Sequence, residues 1–162
     1  MGLALAPTAG APSDSATRTQ HAGRDNSIVV DCRRPESKAP ADAFTLQRAL
    51  AAAAADLRDN VIRFDPAVFG TGEAPIELDS PIRIDDPTAG NDCIDGSLSA
   101  GEITLDATRC SEAAVIGGGR GQLTLRRLTI AGPVPRPLLV KQDGRIQVER
   151  VTLRGSDGPG IT

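Results

Sequence analysis

The sequence predicts an all-β chain built as a solenoid, with short strands of successive coils stacked on one another behind a single helix. Three observations carry this. Beyond Asn60 the chain breaks into many short runs of Leu, Ile and Val punctuated by Gly, Pro and Asp. The runs recur: GQLTLRRLTIAG from Gly121 aligns with GRIQVERVTLRG from Gly144, placing Leu123 over Ile146, Leu125 over Val148, Leu128 over Val151 and Ile130 over Leu153, each pair 23 residues apart. Within each run apolar and polar residues alternate, so one set faces a core and the other faces solvent.

In chain order, Met1 to about Asn26 is Ala, Pro, Thr, Ser, Gly and Asp without an apolar period, a flexible polar segment (1–26). Its first residues include the small types found near a signal-peptidase site but lack a basic start and a full apolar stretch; a trimmed leader and a plain polar terminus are both open readings. A second region (27–60) begins with a β-branched strand, Ser27–Val30, and a Pro-rich connection. Asp42 or Thr45 then caps a helix running to about Arg58, with Leu46, Leu50, Ala53 or Ala54, and Leu57 on one face. The third region (61–162) holds the coils.

Walking back from Leu123 and Leu125, matching pairs occur at Ile103 and Leu105, Ile82 and Ile84, and Ile62 and Phe64, at steps of 20 or 21 residues. Such near-constant spacing predicts about five coils between Val61 and Thr162, wound as a parallel β-helix with neighbouring strands ~4.8 Å apart. A leucine-rich horseshoe is excluded because its L-x-x-L-x-L-x-x-N pattern is absent. An inward Leu, Ile or Val contributes roughly 1.5–3 kcal/mol when fully buried, so only several stacked coils offset the chain entropy. The Ala/Leu-faced helix is expected to plug the first open end of the tube. The chain stops part-way through a coil, from which downstream coils of a longer protein are expected.

Composition narrows function. The chain has 162 residues and a net charge of −3, neither a disordered acidic chain nor a basic nucleic-acid module. It carries three Phe and no Trp or Tyr, too few aromatics for a base- or sugar-stacking platform. The single histidine, His21, leaves no Ser/His/Asp triad and no multi-histidine zinc site. No apolar run is long enough to span a bilayer. Cys93 with Cys110 is the preferred pairing among the three cysteines, with buried free thiols, Cys32 included, as the standing alternative.

LTLRRLTIAG, followed one coil later by IQVERVTLRG, resembles the repeat of right-handed parallel β-helix proteins of the pectin-lyase-like class. TLQRALAAAAADLRDNVIRFDPAVFG is similar to the leading region of large bacterial surface and secreted β-helix proteins, in which a Ser-Leu-Arg-(Glu/Gln)-Ala-Ile helix precedes an Ile-x-Phe-Asp strand. CIDGSLSAGEITLDA resembles their Ile-Asp-Gly coil. The resemblance covers about Ser27 to Gly155. It implies a secreted or cell-surface location and two roles: a non-catalytic scaffold, adhesin-like or glycan-binding, or the start of a polysaccharide lyase or glycoside hydrolase acting on acidic polysaccharide. No residue matches a full catalytic motif.

The same alignment puts Asp65, Asp85, Asp106, Arg126 and Glu149 in one column. Two readings stand: a calcium or acid/base patch, or turn aspartates beside an alternating surface ladder. Arg127 falls over Arg150, either two solvated arginines or the seat of a shared anion, for which an acidic polysaccharide is the natural candidate. Asp85, Asp106, Arg127 and Arg150 are therefore the candidate ligand-binding residues. Gly117–Gly121 lacks the Lys-Ser/Thr of a phosphate loop and reads as a tight corner needing positive φ. A calcium nonapeptide starting at Gly118 would need an aspartate where inward Leu123 stands. Asn91–Gly96 reads as a similar corner with weak calcium potential.

Overall fold

The computed structural model describes residues 26–56, 58–70, 75–84, 90–99, 101–119, 121–141 and 143–155. His21, Leu57 and Asp85 lie outside the described residues. Strand β1 (Asn26–Val30) is followed by helix α1 (Leu46–Ala54). Thr45, not Asp42, caps α1, its Oγ1 accepting a hydrogen bond from the Arg48 N–H at 3.2 Å. The helix stops short of Arg58. Leu46, Ala49 and Ala53 form its buried face.

The strands that follow come in rounds. The first is β2 (Asn60–Phe64), β3 (Ile76–Glu77) and β4 (Ile82–Ile84), with short helix α2 (Pro66–Phe69) after β2. The second is β5 (Asn91–Asp95), β6 (Ile103–Asp106) and β7 (Ala113–Gly117), and the third β8 (Gln122–Arg126), β9 (Leu128–Ala131) and β10 (Arg136–Val140). Strands β11 (Arg145–Glu149) and β12 (Thr152–Arg154) begin a fourth. All pairings among these strands are parallel. The first sheet has the order β1-β2-β5-β8-β11, the second β12-β9-β6-β3 and the third β10-β7-β4. The chain thus visits three sheets in turn and returns each time beside the strand it laid down one round earlier. One apolar cluster draws on all three sheets and α1, and the helix packs on β1, β2 and β4.

The 23-residue repeat is the true register of the last round: Leu123 pairs with Ile146, Leu125 with Val148 and Ile130 with Leu153. The shorter steps are not. Ile62 pairs with Ile94, and Ile94 with Leu125, so earlier rounds of the first sheet run 32 and 31 residues. Ile62, Ile82, Ile103 and Leu123 lie on the first, third, second and first sheets respectively, so the 20-residue walk moved between faces rather than between coils. With rounds of 23 to 33 residues, the described residues from β2 onward hold three complete rounds and part of a fourth; about five coils were expected to Thr162. The walk kept the correct inward parity because alternation has the same period on every face.

Two further expectations change. The three cysteines are free: Cys93 lies on the first sheet, whereas Cys110 belongs to the apolar cluster beyond β6. The preferred bridge therefore does not form. Asn91–Asp95 is strand β5 rather than a corner, and the turn follows Gly96 at Ser97 and Leu98. The glycine-rich corner is as expected, with Gly119 at φ 67°. Leu123 is fully buried, so it presents no calcium position. No helix among the described residues is long and apolar enough to cross a membrane.

Candidate functional site

The outward column of the first sheet runs Arg63, Asp95, Arg126, Glu149, with each residue in register with the next. Arg126 is its hub. Its Nε donates to Glu149 Oε2 at 2.7 Å, and its guanidinium lies 3.7 Å from Asp95 Oδ2. Glu149 Oε1 also accepts from Gln147 Nε2 at 3.0 Å. The hydrogen bond from Arg126 holds the Glu149 carboxyl below its usual range, and Glu149 in turn raises the guanidinium. Arg126 is thus neutralised by carboxylates on both neighbouring strands.

One residue further along, the chain turns from the first sheet to the second. β8 ends at Arg126 and β9 begins at Leu128, so Arg127 alone makes the corner, with φ 50°. Its N–H donates to the Glu149 carbonyl at 2.9 Å, which carries the ladder through the bend. Arg150 occupies the next position in the following round, with φ 55°. The left-handed conformation costs a non-glycine residue roughly 1–2 kcal/mol, and the corner uses it twice. In the preceding round the same position is Gly96, where a Cβ would stand 2.4 Å from the Arg127 carbonyl oxygen. Glycine is required there.

These corners line an open groove of ≈ 500 Å³ bounded by Ser97, Arg126, Arg127, Glu149 and Arg150. Arg127 and Arg150 are both exposed, and neither forms an ion pair with a described residue. The groove floor is therefore charge-balanced, while its corner carries two uncompensated guanidiniums on adjacent strands.

The three described candidate residues, Arg127, Arg150 and Asp106, do not form one site. Arg127 and Arg150 come together as the alignment predicted. Asp106 does not join them: it lies on β6 in the second sheet, in register with Glu77 and Ala131, and accepts from the Thr108 N–H and hydroxyl at 2.9 and 2.5 Å. Asp65 caps α2 through the Ala67 N–H at 2.9 Å. Of the four described members of the predicted column, only Arg126 and Glu149 are neighbours, as a ladder; Asp65 and Asp106 do not line up with them. Asp85 lies outside the described residues. Asp95 and Ser97 were missed, although Ile94-Asp95-Gly96, Leu125-Arg126-Arg127 and Val148-Glu149-Arg150 share an apolar-charged-corner pattern that marks the real column.

Burial pushes the Cys93 and Cys110 thiols up, away from thiolate chemistry near neutral pH. Among the described residues no group of three or more His, Cys, Asp or Glu is arranged to hold a metal ion. Comparisons with family models, with curated proteins and with solved structures give no match.

Proposed function

We propose that the chain is a right-handed parallel β-helix of the pectin-lyase-like kind, closed at one end by α1, and that it serves a secreted or cell-surface protein as a non-catalytic, glycan-binding scaffold. The three-sheet succession and the contacts of α1 with β1, β2 and β4 support the architecture. The binding reading rests on one observation: Arg127 and Arg150 are stacked, exposed and without an ion pair among the described residues, beside an Arg126 that has both its carboxylates. Like charges on adjacent strands destabilise each other, and a polymer with regularly spaced carboxylates relieves both at once through the forked guanidinium donors. With no Trp or Tyr in the chain, recognition runs through charge and hydroxyl contacts rather than ring stacking.

Titration with polygalacturonate, with neutral dextran as control, tests this. Wild type should bind the acidic polymer with a steep salt dependence, and Arg127→Ala with Arg150→Ala should weaken binding by about tenfold or more. Binding that is absent, or unchanged in the double variant, overturns the proposal. Release of unsaturated uronate from the polymer would replace the scaffold with the lyase alternative.

A further inference from the structure

The chain leaves the first sheet along one edge of the stack, after Val30, Phe64, Asp95, Arg126 and Glu149. Backbone hydrogen bonds carry the stacking past the strand ends: the Asp65 N–H donates to the Val30 carbonyl at 2.9 Å, and the Gly96 N–H to the Arg126 carbonyl at 3.0 Å. Arg127 and Arg150 stand on this edge beyond β8 and β11. Beyond β1 the same edge carries a second basic pair, Arg33 and Arg34. There the connection after β1 lies against β3 of the second sheet, and the two bound a groove of ≈ 290 Å³ lined by Arg33, Arg34, Pro35, Lys38, Pro75 and Glu77.

The two grooves share a charge plan. In the second, as in the first, the carboxylates already have partners. Glu77 Oε2 lies 3.2 Å from Lys38 Nζ and 3.5 Å from the Arg109 guanidinium, and Asp79 accepts from the Ser37 hydroxyl at 2.6 Å and lies 3.2 Å from Arg109. Arg33 is held on α2, its Nε donating to the Val68 carbonyl at 3.0 Å and its guanidinium 5.1 Å from the centre of the Phe69 ring. Arg34 is exposed and has no ion pair with a described residue. Of the acidic residues on the edge nearby, Asp31 accepts from the Phe44 N–H at 2.6 Å and Asp65 from the Ala67 N–H at 2.9 Å. Neighbouring strands stand ~4.8 Å apart, which puts β1 about 14 Å from β8 and about 19 Å from β11. A small anion fills one groove; a polyanion lying along the stacking direction reaches both.

We propose that Arg33 and Arg34 form a second subsite for the acidic polysaccharide, one chain of which runs along this edge from Arg150 to Arg34. The proposal rests on the glycan-binding reading of the Arg127–Arg150 groove. Once one groove is filled, filling the other is intramolecular, so affinity rises with ligand length without a new kind of contact. Arg34 supplies the free forked donors, and Arg33 adds its charge from a fixed position.

Competition of galacturonate oligomers, from dimer to long chains, against fluorescent polygalacturonate reads the outcome by anisotropy. Wild-type affinity should rise about tenfold or more once the oligomer is long enough to span both grooves. Arg34→Ala should remove that step, weakening long oligomers about tenfold and leaving short ones as they are. Arg136→Ala, which removes an exposed arginine from β10 of the third sheet, should change neither. Circular dichroism melts confirm that each variant is folded. A wild type that does not bind polygalacturonate removes the glycan-binding reading and this proposal with it. Binding that depends on Arg127 and Arg150 but shows no step with length overturns the second subsite alone. So does an Arg34→Ala that binds long oligomers like wild type, weakens short and long ones equally, or loses no more than Arg136→Ala.

Discussion

The two ends of the strand stack use the same aliphatic alternation and arrive at different burial. At the α1 end, Val30 and Ile82 lie on the outermost strands of their sheets yet are almost fully buried, because the helix packs on β1, β2 and β4; Ile76, outermost in its own sheet, is buried as well. A polar seam reinforces that end. Asn60, buried, donates to the Ala53 carbonyl at 3.3 Å, the Arg58 carbonyl at 2.8 Å and Asp92 Oδ1 at 3.0 Å, and Asn26 donates to both Asn60 and Asp56. The inward column that begins Asn26, Asn60, Asp92 continues as Leu123 and Ile146, so it changes from hydrogen-bonded to aliphatic towards the other end. There Ile146 and Val148 meet no further strand among the described residues. In a stacked fold, burial belongs to a residue's neighbours above and below rather than to its own place in the repeat.

The difference can be tested residue by residue. Truncating the middle of a column should cost most: Leu125→Ala, between Ile94 and Val148, should lower unfolding free energy by about 2–5 kcal/mol in urea denaturation. Val148→Ala, one strand further out, should cost under about 1 kcal/mol in dilute protein. Similar losses at the two positions would abolish the distinction between covered and open ends.

The polar seam makes a pH-dependent prediction. Asp92 is 1% exposed, Oδ2 has no hydrogen-bond partner, and burial raises its pKa above the ordinary 3.8. The folded state therefore holds the proton more tightly than the unfolded chain. Its contribution to stability is fully present below the unfolded value and is lost as pH rises through the folded one. Asp92→Asn should leave stability near pH 3 unchanged and raise it at pH 7, by on the order of 1 kcal/mol, flattening the slope between. An unchanged slope would mean that Asp92 ionises freely in the fold.

Thr45→Ala tests the helix that distinguishes the covered end. Loss of the cap bond to the Arg48 N–H should cost about 1 kcal/mol. It should also speed hydrogen exchange in β1 and β2 before β11, since α1 touches the first two and not the third. Uniform exchange across all three strands would show that the helix does not protect its end separately. The smallest effect is expected at Arg126→Gln, which removes a largely exposed hub: the Glu149 carboxyl should move back towards its usual range, read by carboxyl NMR titration.

How much of this was legible depended on distance along the chain. Thr45 as a cap, Asp65 as a turn residue and Gly119 as a positive-φ corner were readable because each is decided by a few neighbouring backbone groups. The Arg127–Arg150 pair was readable because the final round is short, with little between its strands to vary. The groove as a whole was not. Asp106 fell out of it and Asp95 entered because insertions such as α2 lengthen the earlier rounds, and a residue count of 20 lands on the neighbouring sheet.

By itself the sequence determined that strands alternate inward and outward and that one helix starts near Thr45, since those choices are local free energies. Only the tertiary structure decided which sheet each strand joins and which charges become neighbours. Every face of the stack accepts the same two-residue alternation, so assignment to a face depends on loop lengths and on which strand edge is free when the chain returns.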